Sequence, residues 1–317
     1  MPLHPAIVAK LHLLDGIGSW QELEAEPEKA AKMQEFDSWP DAGPAPDVDV
    51  RPATAPGPHG DVPVRIYEPP ASVAGDRPAL VWVHGGAFLG GDLDMVEADG
   101  VAREICARAG AVVVSVDYRL CHGGITYPVP HDDVVAAIRW VRDGAVALGV
   151  DPARIAVGGA SAGANLTAGA ALRLRDDDGW RPVALLLAYP VAHAVLPPAS
   201  ASLAALMADL PRMLRFLPED TQLINANYLG GAHSRADGYA MPAHGVLDGL
   251  GPVVVLNAEY DDLRPSGEAF TAALARAGVD VRQVLVRDMP HGFLNRPAAA
   301  LEPVDRALDL LAEVVAA

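Results

Sequence analysis

Ser161 stands in a chemically distinctive setting, at the centre of VGGASAGANL (157–166). Gly159 and Gly163 flank it in the spacing G-x-S-x-G, between an apolar stretch that predicts a strand and residues that predict a helix. In such a tight strand-to-helix turn the serine hydroxyl is exposed, and side chains at the two glycine positions would collide. The motif predicts a serine nucleophile, with the N–H of Ala162 at the helix start facing developing negative charge.

A serine nucleophile requires a general base and a carboxylate that orients the base. His291 directly follows the predicted strand VRQVLVRD and precedes a glycine. Glu259, Asp261 and Asp262 follow another predicted strand, and Asp261 lies 30 residues before His291. That separation leaves room for one helix and one strand, so the chain order is serine, acid, histidine. The pattern itself leaves the choice among the three carboxylates open.

A glycine-rich stretch, VWVHGGAFLGG (81–91), follows a predicted buried strand. Successive glycines allow backbone N–H groups to point into one cavity, where they stabilise an oxyanion. We assign Gly85 and Gly86 to this role, together with the N–H of Ala162. His84 belongs to the same segment, and we interpret it as an anchor of the loop rather than as the general base.

Short apolar stretches alternate with helical patterns, which predicts βαβ units and a mainly parallel sheet with helices on both faces. The stretch 62–69 alternates like a strand at the sheet edge, whereas 79–86 and 111–118 are apolar on both faces. Further strands are predicted over 154–159, 182–190, 252–260 and 281–288, and helices over 94–109, 131–149, 162–175, 265–277 and 302–316. Because active sites of such sheets lie at the carboxyl ends of the strands, we expect Ser161 and His291 to meet there.

Two segments lie outside this alternation, residues 1–45 and residues 191–240. Both carry apolar helical patterns, and long insertions in compact domains are commonly lids or binding elements. We therefore expect the two segments to form a helical cap over a core made of residues 46–190 and 241–317. The residues assigned to the substrate pocket are Phe88, Met213 and Phe216.

Composition and charge restrict the kinds of molecule that the protein is expected to bind. The 317 residues carry a formal net charge of −17, which repels phosphate backbones and anionic lipids, so we expect no nucleic-acid partner. No stretch reaches the roughly 18 apolar residues of a membrane span, and the first twenty residues lack a signal-peptide pattern. Cys106 and Cys121 are too few for a disulfide framework. We expect a cytoplasmic protein whose oligomeric state stays open, with a homo-oligomer as one alternative.

The sequence resembles the hormone-sensitive-lipase-like branch of the α/β-hydrolases, specifically its bacterial carboxylesterases. The resemblance covers residues from about 60 to 295 and is carried by five stretches: HGGAF (84–88), DYRL (117–120), GVDPARIAVGGASAGANL (149–166), YDDLR (260–264) and HGF (291–293). It implies an α/β-hydrolase core with a helical cap and no cofactor, and we also expect no metal. It also maps the acid onto Asp261. The implied function is a serine carboxylesterase that hydrolyses short-to-medium acyl esters, with a small-molecule ester as its partner and an acyl-enzyme as the intermediate.

The chain departs from the family pattern in its glycine-rich and loop motifs. Ala87 stands where the family usually has a third glycine, and CHGG (121–124) replaces APE. Around the serine, Ala160 replaces the common Asp before it, and Ala164 replaces a second glycine after it. The change to CHGG lies near the expected site and bears on substrate preference.

Four alternatives accompany this interpretation. A serine hydrolase of amides, carbamates or lactones would use the same residues. A binding module on the same fold would need a damaged triad. Cys121 with His122 could form a thiol nucleophile. A metal site could be built from Cys106, Cys121, His122 and His131, although their spacing matches no tight metal pattern.

Overall fold

The computed structural model describes residues 3–69 and 77–317. Its strands are β1 (Asp49–Ala55), β2 (Val62–Glu68), β3 (Arg77–Val83), β4 (Val112–Val116), β5 (Val150–Ala160), β6 (Leu185–Ala188), β7 (Val253–Tyr260) and β8 (Val281–Pro290). They form one sheet in the order β1-β2-β4-β3-β5-β6-β7-β8. Strand β2 runs antiparallel to β1 and β4, and every pair from β4 to β8 is parallel. The predicted mainly parallel sheet is confirmed.

Helices cover both faces of the sheet. The α-helices are α1 (Pro5–Val8), α2 (Trp20–Ala25), α3 (Pro27–Asp37), α4 (Val101–Ala109), α5 (Val129–Asp143), α6 (Ala162–Asp178), α7 (Ala201–Met207), α8 (Pro218–Leu229), α9 (Arg264–Arg276) and α10 (Glu302–Ala316). Strand residues alternate between two apolar clusters: Val81 joins the cluster with α5, α6 and α9, and Trp82 the cluster with α4 and α10. Successive side chains of a strand point to opposite faces, so each buried strand supplies both cores.

The structure corrects one expectation about the first strands and adds a strand that was not predicted. The stretch 62–69 is a strand, but β2 is not at the sheet edge, because β1 pairs outside it. Strand β1 was not predicted from the sequence, because it is mostly exposed and contains Pro52. An edge strand tolerates proline and needs no apolar face, so its pattern resembles a connector.

The predicted helix 94–109 is two structures in succession. A π-helical turn (Val96–Gly100) leads into α4, and Gly110 ends the helix with φ of 61°. A π-turn places one extra residue in the helix, and such turns are frequent at functional sites.

The N-terminal segment and the insertion pack together on one face of the core. Ile7 and Phe36 from the first share an apolar cluster with Leu203 and Met213 from the second. The two segments also line one surface cleft. In the insertion, Pro218 occupies the first turn of α8, where its missing N–H costs nothing. Within the described residues, no helix is both long and apolar enough to cross a membrane.

Candidate active site

Ser161 lies between β5 and α6 in a strained backbone conformation, with φ of 53° and ψ of −116°. Its N–H donates to the carbonyl of Ala188 at 2.8 Å. A Cβ atom on Gly159 would lie 2.6 Å from the backbone of Gly163, and one on Gly163 would lie 2.1 Å from the carbonyl oxygen of Val83. The two glycines are therefore required for the strand and helix to approach, as the motif predicts.

His291 follows β8 directly and faces the serine. Its Nε2 lies 3.0 Å from Ser161 Oγ, and its Nδ1 lies 2.8 Å from Asp261 Oδ2. Asp261 is fully buried, and its Oδ1 accepts the N–H of Leu263 at 2.8 Å. A carboxylate at Nδ1 favours the tautomer with the proton on that nitrogen, which leaves Nε2 free to accept the serine proton.

The two other carboxylates near this edge face elsewhere. Glu259 accepts the N–H of Asp288 and binds Arg287. Asp262 accepts two hydrogen bonds from the guanidinium of Arg215, at 2.8 and 3.0 Å. Among the three candidates, Asp261 is the carboxylate that the structure brings to His291.

Aromatic rings enclose the imidazole of His291 from two sides. The ring of Tyr189, at the end of β6, lies 4.8 Å from it, and the ring of Phe216, from the insertion, lies 4.7 Å from it, both edge-on. With only 8% of its side chain exposed, His291 is shielded from bulk solvent. Exclusion of water strengthens the electrostatic interactions of a site.

The structure corrects the role expected for Gly85. Its N–H donates to Glu97 Oε2 at 2.7 Å and is not available to an oxyanion. The carbonyl of Gly85 accepts from Tyr118 Oη at 3.1 Å and lies 2.7 Å from His84 Nδ1. In a trans peptide the N–H lies opposite the C=O, so the N–H of Gly86 points away from both side chains. Gly86 and Ala162 remain as the predicted donors.

His84 is buried and its ring stacks on Tyr118 at 4.6 Å. Its hydrogen bond to the carbonyl of Gly85 fits the role of a loop anchor. A histidine in this position faces the backbone of its own loop, and the base predicted for Ser161 is His291.

The three predicted pocket residues lie in different surroundings. Phe216 is the one placed against the imidazole of His291. Phe88 is fully buried and stacks face to face on Tyr228 at 4.0 Å. Met213 is buried in the cluster that the insertion shares with the N-terminal segment. Their contribution to substrate binding stays a prediction.

The cysteine alternatives gain no support from the structure. Burial raises the pKa of Cys121 to about 12, so its thiol holds its proton at neutral pH. Cys106 and Cys121 belong to apolar clusters on opposite faces of the sheet. In the part of the chain that the structure describes, no group of three or more potential metal ligands comes together.

Several residues at the site were missed from sequence. The carboxylate of Glu97 accepts hydrogen bonds from the glycine-rich loop, at Gly85, and from the side chains of Tyr189 and Asn295. Arg215 binds Asp262. None of them stands in a local pattern that suggests a role. Tyr118 lies within DYRL (117–120), which is one of the stretches that carry the family resemblance.

Comparison with known proteins identifies the class of protein that has this fold and this type of site. A family described as having the alpha/beta hydrolase fold matches residues 80–295. The chain belongs to the α/β-hydrolase family, in its hormone-sensitive-lipase-like branch.

Among known relatives, carboxylesterase NlhH of Mycobacterium tuberculosis is 39% identical over 261 residues, which cover 79% of this chain and 78% of NlhH. Ethyl acetate hydrolase of Pseudomonas putida is 30% identical over 265 residues, covering 80% and 78% of the two chains. Among solved structures, a hyperthermophilic esterase from the archaeon Pyrobaculum calidifontis matches with a TM-score of 0.85 and 29% identity, covering 100% of this chain and 98% of that chain.

Proposed function

We propose that the protein is a serine carboxylesterase that hydrolyses short-to-medium acyl esters of small molecules through an acyl-enzyme intermediate. The observation that carries the proposal is the hydrogen-bonded series from Ser161 Oγ through His291 to Asp261, with distances of 3.0 and 2.8 Å. The names of the relatives NlhH and ethyl acetate hydrolase support an ester as the substrate.

In the first half of the reaction, Ser161 Oγ attacks the ester carbonyl carbon while His291 Nε2 takes the hydroxyl proton. Asp261 stabilises the imidazolium that forms. The carbonyl oxygen becomes an oxyanion, and the N–H groups of Gly86 and Ala162 donate to it; each such donor stabilises the transition state by about 3–4 kcal/mol. The tetrahedral intermediate then collapses, and His291 returns the proton to the departing alcohol.

In the second half, water replaces the alcohol. His291 Nε2 takes a proton from the water as its oxygen attacks the acyl-enzyme carbonyl. Collapse of the second intermediate breaks the bond to Ser161 Oγ, which recovers its proton from His291. The carboxylic acid leaves, and the same two N–H donors serve both intermediates.

The test is ester hydrolysis by Ser161→Ala. We expect the wild type to hydrolyse p-nitrophenyl butyrate and the variant to lose about three to six orders of magnitude in kcat, with an unchanged melting temperature. The matched control is Ser115→Ala, because Ser115 is also a buried serine and its Oγ contacts no acceptor among the described residues. Retention of most activity in folded Ser161→Ala would refute the mechanism.

Hydrolysis of amides, carbamates or lactones would use the same triad, and only the leaving group separates these reactions from ester hydrolysis. Paired p-nitrophenyl ester and p-nitroanilide substrates with the same acyl group decide between them. We expect a higher kcat/KM for the ester. A preference for the anilide would assign the enzyme to the alternative class.

We also propose a cytoplasmic location. Both cysteines are free and buried, which suits a reducing compartment.

The oligomeric state does not affect the proposed chemistry. All three triad residues come from one chain, so the site would be complete in a monomer and in a homo-oligomer. In either case, the rate of hydrolysis should increase linearly with the concentration of protein chains.

A further inference from the structure

Glu97 is a buried carboxylate in the π-helical turn that precedes α4, with 2% of its surface exposed. Its backbone carbonyl accepts the indole N–H of Trp82 at 2.7 Å, which fixes the turn against β3. Within residues 3–69 and 77–317, no basic side chain pairs with this carboxylate.

Three donors from separate segments bind the side chain of Glu97. Its Oε2 accepts the N–H of Gly85 at 2.7 Å. Its Oε1 accepts the hydroxyl of Tyr189 at 2.6 Å and the side-chain N–H of Asn295 at 3.2 Å. One side chain thus joins the glycine-rich loop, the end of β6 and the turn that follows His291.

Each of these segments touches the proposed chemistry. A Cβ atom on Gly85 would lie 2.7 Å from Glu97 Oε2 and 3.0 Å from the Cβ of Ser161, so the glycine permits both contacts. The ring of Tyr189 packs against the imidazole of His291. Asn295 ends the 3-10 turn Phe293–Asn295, which begins two residues after His291.

The hydrogen bonds of Glu97 connect three segments that are distant in the chain. Hydrogen bonds to a carboxylate are stronger and shorter than neutral ones, and a buried donor that loses its acceptor costs stability. Glu97 therefore gives rigidity to these three segments.

We propose that Glu97 is a positioning residue for ester hydrolysis, which holds the glycine-rich loop (84–91) and the turn after His291 (Phe293–Asn295) in fixed relation to Ser161. The inference rests on the proposed function. Glu97 does not touch the substrate; it acts through Gly85, Tyr189 and Asn295.

The test compares Glu97→Ala and Glu97→Gln with the wild type, using p-nitrophenyl butyrate. Glutamine keeps the shape but has one acceptor oxygen for three donors, whereas alanine leaves all three unpaired. Active sites are titrated to completion with a fluorophosphonate, so that kcat refers to folded, reactive enzyme. A merely structural residue would lower the titrated fraction and leave kcat per titrated site unchanged.

We expect kcat per titrated site to fall about 10- to 100-fold in Glu97→Ala, with KM within about twofold of the wild type. Glu97→Gln should fall less, by about 3- to 10-fold, because one acceptor remains. The matched control is Glu104→Gln on α4, which makes the same chemical change in a carboxylate bound to Arg108. Its kcat should equal that of the wild type.

Wild-type kcat per titrated site in Glu97→Gln, or a loss confined to KM, would overturn the inference. Should Glu97→Ala fail to fold, Glu97→Gln and Tyr189→Phe, which removes one donor and keeps the ring, decide the matter by the same criterion. A wild type without esterase activity would refute the proposed function instead. An active wild type with unaffected Glu97 variants would refute only this inference.

Discussion

Asp261 and Asp262 are neighbours in the chain, but their carboxylates face different parts of the molecule. Asp261 binds the imidazole of His291, and Asp262 binds Arg215 and the N–H of Phe216. Because the two carboxylates bind different partners, only Asp261 is placed to orient His291. Asp262 instead binds two residues of the insertion, Arg215 and Phe216.

Asparagine substitution at each position tests this division of roles. Asp261→Asn should lower kcat by about 10⁴-fold, because the amide no longer stabilises the tautomer and the imidazolium that the mechanism requires. Asp262→Asn keeps an acceptor for Arg215 and should retain kcat within about tenfold, since only a partly buried ion pair is weakened. A greater loss of kcat at position 262 would move the acid by one residue.

The proposed mechanism carries a prediction for the pH dependence of the reaction. A general base must be unprotonated to accept the serine proton, so we expect kcat/KM to fall on the acid side of the pH profile. The measurement is kcat/KM from pH 5 to 9, with the melting temperature followed over the same range. A rate that rises steadily towards acid pH would exclude His291 as the base.

At the scale of elements, the insertion is fastened to the loop that carries the predicted acid. Arg215 binds Asp262 and also donates to the carbonyl of Met207 at the end of α7. The next residue, Phe216, lies against His291. The ion pair between Arg215 and Asp262 therefore fastens the insertion next to His291.

We predict that the insertion acts as a cap that limits the length of the acyl chain. Each buried CH₂ contributes about 0.8 kcal/mol while space lasts, and longer chains then meet a steric cost. For p-nitrophenyl esters from acetate to palmitate, kcat/KM should rise over the first few carbons and then collapse. Phe216→Ala and Met213→Ala should move the optimum to longer chains.

The matched control for acyl length is Leu223→Ala on α8, because Leu223 is 73% exposed in the same insertion. Its profile should follow the wild type. A palmitate preference, or a profile that neither Phe216→Ala nor Met213→Ala alters, would place the pocket elsewhere.

Helices α5 and α6 are joined by an ion-pair cluster at their ends. Arg139 and Arg142 of α5 donate to Asp178 of α6, and these hydrogen bonds lower the pKa of Asp178 to about 2 from its ordinary 3.8. Because the folded state favours the charged carboxylate, this stabilisation is present above pH 3.8 and is lost as the pH falls through about 2.

Asp178→Asn should therefore lower the free energy of unfolding at pH 7 by up to about 1 kcal/mol, with a difference that shrinks towards pH 2 in urea titrations. Asp143→Asn is the control, since Asp143 is more exposed and pairs only with the adjacent Arg142 among the described residues. Equal effects of the two variants at pH 7 would contradict the prediction.

At the scale of the whole molecule, the N-terminal segment is part of the folded unit. The N–H of His4 donates to the carbonyl of Asp288 in β8. Ile7 and Phe36 are buried in the cluster that also contains Phe293, two residues after His291. Loss of these contacts would expose apolar surface beside the turn Phe293–Asn295, which follows His291.

Ile7→Ala should lower the free energy of unfolding by about 2–5 kcal/mol, because the deleted side chain leaves a cavity at a fully buried position. Val8→Ala on the same helix is the control. Val8 is 41% exposed, so its change should stay within about 0.5 kcal/mol. Chemical denaturation of both variants checks the difference, and equal values would show that the segment does not pack as described.

The sequence by itself determined the parallel sheet, the turn around Ser161 and the position of His291 at the end of a strand. These features depend on periodicity and on spacing over a few residues, and steric rules for glycine turns and βαβ units act over that range. The acid was narrowed to three neighbouring carboxylates by the same means, and a family resemblance was needed to choose Asp261.

Only the tertiary structure decided which groups face one another. Glu97 lies 12 residues from Gly85 and 198 from Asn295, and no local pattern connects the three. The expected donor Gly85 is occupied because a distant carboxylate reaches its N–H, and β1 forms because β2 offers it an edge despite Pro52. Hydrogen bonds between remote segments depend on how the whole chain packs. The spacing of residues within a single stretch of sequence does not determine that packing.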